Sequence, residues 1–195
     1  MSPRHEDDAP TTRARILSSA IELLTESGWP SITMATLADR AGVSRQTVYN
    51  EIGSKPALAE AIVLDELSRF LSVVEEGFER HPRSLARALH AAVLGVLERS
   101  RDSAIMVAIV SATNGADTEL LPPLTTRSTS LLETASTLVV DRLSAYAIAA
   151  DDRTRDAVID MLVRTTLSHV MQPTDSPERT AAGITSVVVS ALQGQ

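Results

Sequence analysis

The 195-residue sequence predicts an all-α protein. Aromatic residues make up only 3% of it while hydrophobic residues reach 44%, so the apolar mass is Ala, Leu, Val and Ile. That mixture suits tightly packed helices better than a β-sandwich. The apolar residues recur at helical spacing between cap and breaker residues. No alternating apolar run flanked by hairpin turns occurs, so no sheet is expected.

Each element follows from its own residues. Thr11 or Thr12 caps a first helix running to about Ser27, with Ile16, Leu17, Ala20, Ile21 and Leu24 on its apolar face and Gly28 as its stop. Trp29-Pro30-Ser31 reads as a turn, with Trp29 as a core plug. Thr33 caps a short helix from Met34 to Ala41 that Gly42 stops, and Ser44 caps another from Arg45 to Ile52 that Gly53 stops. Pro56 opens a long helix to about Glu79, broken by His81-Pro82. Ser84 to Arg99 and Asp102 to Thr113 follow, the latter ended by Asn114-Gly115. Pro122-Pro123 forces a break, residues 124–146 form a long helix, and Asp152 to Met171 and Pro177 to Leu192 make the final pair. Three small helices thus precede six in a larger bundle, organised as an arm over 1–10, a first domain over 11–55 and a second over 56–195.

Composition removes several classes of function. With no cysteine there are no disulfides, thiolate metal sites or Cys nucleophiles. The start, MSPRHEDDAP, lacks the basic and apolar regions of a signal peptide, and no run approaches the roughly 18 apolar residues of a membrane span. A soluble, cytoplasmic chain with no membrane partner is expected. The four histidines, His5, His81, His90 and His169, form no helical pairs with carboxylates, so neither a metal nor a cofactor is expected. Nor is there a Gly-rich phosphate loop or a Gly-x-Ser-x-Gly elbow, which argues against an enzyme.

The net charge of −7 argues at first against nucleic acid. Only one portion need bind, however. Residues 1–56 carry six basic residues (Arg4, Arg13, Arg15, Arg40, Arg45, Lys55) against seven acidic ones (Glu6, Asp7, Asp8, Glu22, Glu26, Asp39, Glu51). Three of those acids sit together in the tail, and without them the segment is net positive.

The informative stretch runs from Thr33 to Ile52. A helix-turn-helix needs a small residue where its helices cross, and Ala38 supplies it. It needs a turn residue that tolerates positive φ, which is Gly42. Leu37, Ala41, Val43 and Val48 are the apolar anchors between its helices. In such a motif the second helix enters the major groove by its N-terminal half. Arg45 and Gln46 are the candidates for base edges, because Arg pairs with guanine and Gln with adenine through two hydrogen bonds. Asn50, one turn on, shares the face of Gln46. Thr33, Ser44, Thr47, Tyr49 and Lys55 are candidates for phosphate, which sets register without reading sequence. Tyr49 could instead pack, and Lys55 could be solvated. Arg13 and Arg40 read as surface charges.

Residues 12–60 resemble the N-terminal domain of the TetR family of bacterial transcriptional regulators. The similarity rests on Gly28-Trp29, on Thr33 to Ala38, on Ala41 to Ser44, on Thr47-Val48-Tyr49 and on Ser54-Lys55. Ile32, Gln46 and the Glu51-Ile52 pair depart from the family's common residues. The resemblance implies a regulator that binds double-stranded operator DNA, with the residues matching Tyr49 and Lys55 on phosphate. It further implies a ligand-binding and dimerisation bundle behind the DNA-binding domain, and a repressor released by a small effector.

Within that bundle, Val158, Met161, Leu162 and Thr165 on one helix and Ile184, Val187, Val188 and Ala191 on the last form apolar stripes. Such stripes suit ordinary core. The resemblance implies instead a four-helix interface of a homodimer, which would space two recognition helices by about 34 Å. Candidate pocket residues are Phe70, Phe78, Leu94, Met106, Val110, Leu131 and His169, each of which also reads as core packing. With few aromatics and charges, the pocket suits an aliphatic or lipid-like hydrophobic molecule. The alternative to a ligand-responsive regulator is a helical adaptor, or a ligand-independent regulator, that binds a protein partner.

Overall fold

The computed structural model describes residues 10–113 and 128–194, and among these the chain forms nine α-helices, one 3₁₀ turn and no strand. The helices are α1 (Thr12–Ser27), α2 (Met34–Ala41), α3 (Arg45–Glu51), α4 (Lys55–Arg80), α5 (Leu85–Asp102), α6 (Ala104–Thr113), α7 (Ser128–Leu143), α8 (Asp152–Met171) and α9 (Pro177–Gln193). The expected arm apart from Pro10, the Asn114-Gly115 stop, the Pro122-Pro123 break and the start of the 124–146 helix lie outside the described residues. No helix among the described residues is long and apolar enough to cross a membrane.

Short polar side chains set the helix starts. Thr11, Thr33, Ser44, Ser54, Ser84, Asp151 and Ser176 each accept a hydrogen bond from a backbone N–H in the first turn of the helix that follows. Each satisfies a donor that the helix leaves without an internal partner. At α4 the cap is Ser54, so Pro56 is the second helical residue rather than the opening one.

Two boundaries differ from expectation. The break between α5 and α6 falls at Ser103, whose extended backbone ends α5 and whose hydroxyl accepts from Met106 N at 3.2 Å, so Asp102 belongs to α5. Helix α7 ends at Leu143 rather than 146. There the Ser144 hydroxyl donates to the Asp141 carbonyl at 2.6 Å and Tyr146 N–H bonds the Leu143 carbonyl, tightening the chain into a turn.

Helix α4 is the spine. It packs most extensively against α5 and also meets α1, α6 and α7. The α4–α5 approach is close because two glycines remove side chains from it. A Cβ on Gly77 would lie 2.6 Å from the Ala92 backbone nitrogen, and one on Gly95 would lie 2.6 Å from Val73 Cγ1. Helix α9 then packs against α5 and α8. The buried residues of all these helices form one continuous apolar core from Ile16 to Leu192.

Polar contacts tie the helices across that core. Arg142 of α7 meets Glu75 of α4 at 2.6 Å. Tyr146 donates its hydroxyl to the His81 carbonyl at 3.0 Å while its ring sits edge-on to Phe78, 6.0 Å between centroids. Partial burial raises the Tyr146 hydroxyl pKa above its ordinary value.

Candidate nucleic-acid interface and effector cavity

Helices α2 and α3 are set at their angle by the turn between them. Gly42 is left-handed at φ 65°, ψ 38°, its N–H reaches the Asp39 carbonyl at 3.3 Å, and Val43 N–H reaches the Ala38 carbonyl at 3.0 Å. This pair of bonds is a Schellman termination, which a residue with a Cβ would strain at that φ. Ala38 is buried where the helices meet, and Leu37 and Val48 are fully buried beside it.

Burial of Val48 and Ile52 turns the opposite face of α3 outward. Arg45, Gln46, Tyr49 and Asn50 are exposed there, with Tyr49 at 50%. Gln46 Nε2 donates to Asn50 Oδ1 at 2.9 Å, so the two amides form one polar unit. Thr33 is exposed, and its hydroxyl and that of Thr36 make reciprocal capping bonds at the start of α2. Ser44 and Thr47 hydroxyls lie 2.8 Å apart at the start of α3. The Lys55 ammonium lies 5.2 Å from the centroid of the buried Trp29 ring. All eight residues expected to touch DNA therefore lie on α3 or beside its neighbouring helix starts.

Three arginines hold this unit together, and none was expected to. Arg15 of α1 donates to the Ala41 carbonyl at 2.7 Å, capping the end of α2. Arg13 donates to the Glu51 carbonyl at the end of α3. Arg40 of α2 donates to both carboxylate oxygens of Glu26, at 2.9 and 2.6 Å, and approaches Glu22 at 3.4 Å. Arg13 and Arg40 are surface charges, as expected, and they also tether helices to one another. Cations near helix C-termini also oppose the helix dipole favourably. That Arg40 hydrogen bond holds the Glu26 carboxyl below the ordinary glutamate range. Arginine reach across 26 or 38 positions has no local periodic signal, which is why sequence alone missed it.

In the bundle, α4, α5, α6, α7 and α8 line a cavity of about 370 Å³. That lies inside the range of roughly 300–1,000 Å³ typical of small-molecule sites. Of the expected pocket residues, Phe70, Phe78, Met106 and Leu131 line it. Leu94 and His169 do not. Leu94 falls on the other face of α5, in an open groove with His90 and Thr185, and His169 borders grooves beside α9 with Nδ1 3.4 Å from the Thr174 hydroxyl. Val110 is half-buried on α6 and is not part of the lining.

Among the described residues the polar members of that lining are Glu66 and Thr166. Glu66 is 4% exposed; its Oε2 accepts from Arg99 Nη2 at 3.2 Å while Oε1 is buried without a hydrogen-bond partner. The Arg99 guanidinium in turn stacks 5.7 Å from the Phe70 ring centroid. A buried acceptor without a partner costs about 1–3 kcal/mol, and more when it is charged. Sequence reading passed over Glu66 because one acid on a long charged helix resembles any solvated one.

The two C-terminal helices divide the expected interface residues. Val158, Leu162 and Val188 are buried within the chain, where α8 packs against α5 and α7 and α9 packs against α5 and α8; Leu162 and Val188 also border the groove between α8 and α9. Met161 and Val187 are 45% and 58% exposed and, with half-buried Thr165 and Ile184, border an outer groove. Ala191 is half-buried at the core's edge.

A glycine-turned helix pair with an exposed polar recognition face, mounted on a helical bundle, defines a helix-turn-helix DNA-binding transcriptional regulator. The chain belongs to the TetR family: residues 16–62 match the family of bacterial regulatory proteins named for TetR, and residues 84–190 match the C-terminal domain of the bacterial tetracyclin repressor. It is similar to the HTH-type transcriptional regulator AlkX of Mycobacterium tuberculosis, 25% identical over 186 residues that cover 95% of this chain and 87% of that one. Among solved structures it resembles the TetR family repressor AlkX of a Dietzia species, with a TM-score of 0.74, 27% identity and coverage of 94% and 96% of the two chains. The fold is shared with FadR of Bacillus subtilis at a TM-score of 0.57 and 15% identity, over 91% of this chain and 97% of that one. These relatives are regulators rather than enzymes, and regulators of the family bind operator DNA and typically dimerise.

Proposed function

We propose that the protein is a ligand-responsive repressor that binds operator DNA as a homodimer and is released by a small aliphatic effector. The observation that carries the DNA reading is the outward face of α3, where Arg45, Gln46, Tyr49 and Asn50 stand together while Val48 seals the opposite side. Arg45 and the Gln46–Asn50 unit read base edges. Thr33, Ser44, Thr47, Tyr49 and Lys55 engage phosphate and fix register.

The 370 Å³ apolar cavity supports an aliphatic effector, and the Dietzia relative is a repressor implicated in biodegradation of n-alkanes. Helix α4 supplies the coupling. It carries Leu58 and Ile62 in the core that is continuous with that of the DNA-binding helices, and Glu66, Phe70 and Phe78 on the cavity wall. An effector that favours a displaced α4 shifts the population away from the spacing that two half-sites require.

The test is an unbiased selection of duplex sequences followed by gel shift on the enriched site. A two-fold symmetric site is expected, with affinity falling steeply with salt. An Arg45→Ala, Gln46→Ala double variant should keep its helical circular dichroism and lose about 1–3 kcal/mol per reading residue. Undiminished binding by that variant overturns the assignment, and enrichment of no sequence at all returns the protein to the adaptor reading.

A further inference from the structure

Among the described residues the cavity wall is apolar except where Glu66 and Thr166 stand in it. The Glu66 side chain is 5% exposed, and its carboxylate is half-satisfied: Arg99 takes Oε2, and Oε1 has no partner. The Thr166 hydroxyl is buried and equally without a partner. A pure hydrocarbon filling this space would leave both groups as they are. A ligand that carries one donor would not.

We propose that the effector is an aliphatic alcohol, its chain in the apolar cavity and its hydroxyl donating to Glu66 Oε1. This rests on reading the cavity as the effector site and adds the headgroup to it. Charge balance selects the hydroxyl. Glu66 is already neutralised by Arg99 at 3.2 Å, so the pair brings no net charge to the wall. A fatty carboxylate would add a second anion beside Glu66, whose charge Arg99 already offsets, so the pair and the ligand together would be net negative. An alkylammonium would add a second cation near Arg99. Either leaves an unbalanced charge in a low-dielectric site, where isolated charges are strongly disfavoured. A hydroxyl adds no charge, and a hydrogen bond to an ionised acceptor is stronger than one between neutral groups. The Thr166 hydroxyl offers the same lining a second polar group for the alcohol oxygen.

The experiment compares octane, octanol, octanoate and octylamine, which share one chain and differ in the headgroup. Binding to the full-length protein is read by calorimetry, and release is read by anisotropy of a labelled selected operator. Octanol should bind at least about tenfold tighter than the other three, since a site built around a hydroxyl discriminates strongly against analogues that lack one. Glu66→Gln removes the negative charge and leaves the Arg99 cation unbalanced, so octanoate should gain on octanol by at least about tenfold. Octanoate binding as tightly as octanol to the unaltered protein overturns the headgroup assignment while leaving the cavity as an effector site. Binding of none of the four overturns that site reading as well. The comparison on the unaltered protein stands alone if the Gln variant does not fold.

Discussion

The Lys55 ammonium sits 5.2 Å from the centre of the Trp29 ring, joining the first residue of α4 to the turn that precedes the DNA-binding helix pair. Trp29 is 2% exposed, so this contact anchors the start of the spine to the core of the recognition unit.

Lys55→Ala should therefore lower stability by about 0.5–1 kcal/mol, the usual worth of a cation over an aromatic face near the surface. The same change should reduce the slope of log affinity against log salt by about one if Lys55 also meets phosphate. Trp29→Ala should be far more damaging, about 3–5 kcal/mol, because a large core ring is lost. Urea unfolding of the variants and salt-dependent anisotropy check these outcomes. A Lys55 variant with unchanged salt slope would remove that residue from the phosphate contacts.

Gly77→Ala should destabilise by about 1–3 kcal/mol, the range for forcing added atoms into a packed contact. Its Cβ would press on the backbone of Ala92, which has no rotamer to yield with. Gly183→Ala, where a Cβ meets nothing within 4 Å on α9, is the control and should be neutral or mildly stabilising. Equal thermal midpoints for the two variants would contradict the close approach of α4 and α5.

The Glu26–Arg40 pair makes a statement about pH. Hydrogen bonding to Arg40 lowers the Glu26 pKa in the folded state. The pair's contribution is therefore present above the ordinary glutamate range and is lost as pH falls through the lowered folded-state value. In Arg40→Ala the Glu26 carboxyl should titrate higher, as followed by carboxyl NMR, and the acid limb of stability should flatten. Both residues are exposed, so the effect on total stability is small.

Val187→Asp should leave the protomer folded, since the side chain is already 58% exposed, and should abolish the proposed dimer. Sedimentation should then report a monomer, and operator affinity should fall to that of a single half-site. Val188→Asp, at 2% exposure, should unfold the protomer instead. A Val187 variant that stays dimeric places the interface elsewhere.

The helix order was legible because punctuation and periodicity agree. Gly42 and Ser44 mark the turn and the second helix without any tertiary information, and Ala38 marks the crossing. What could not be read locally are the long-range pairings. Arg15 with Ala41, Arg142 with Glu75 and Glu66 with Arg99 depend on which helices become neighbours. Helical phase explains the remaining differences: Leu94 and His169 belong to apolar-looking segments, yet their turns of helix face away from the cavity. Val158, Leu162 and Val188 satisfy the pattern of an interface and of a core equally; all three are buried within the chain, and Leu162 and Val188 also border the outer groove.

Because α4 is one uninterrupted helix from Lys55 to Arg80, the register between Ile62 and Glu66 is a mechanical constant of the molecule. Adding a single residue there would swing everything beyond it by about 100° around the helix axis. The helix-turn-helix unit and the apolar cavity would each survive intact and no longer be aligned. Length changes should thus be absorbed in the connections after Arg80, and chimeras that splice a foreign sensing bundle onto this reading head must match α4 turn for turn.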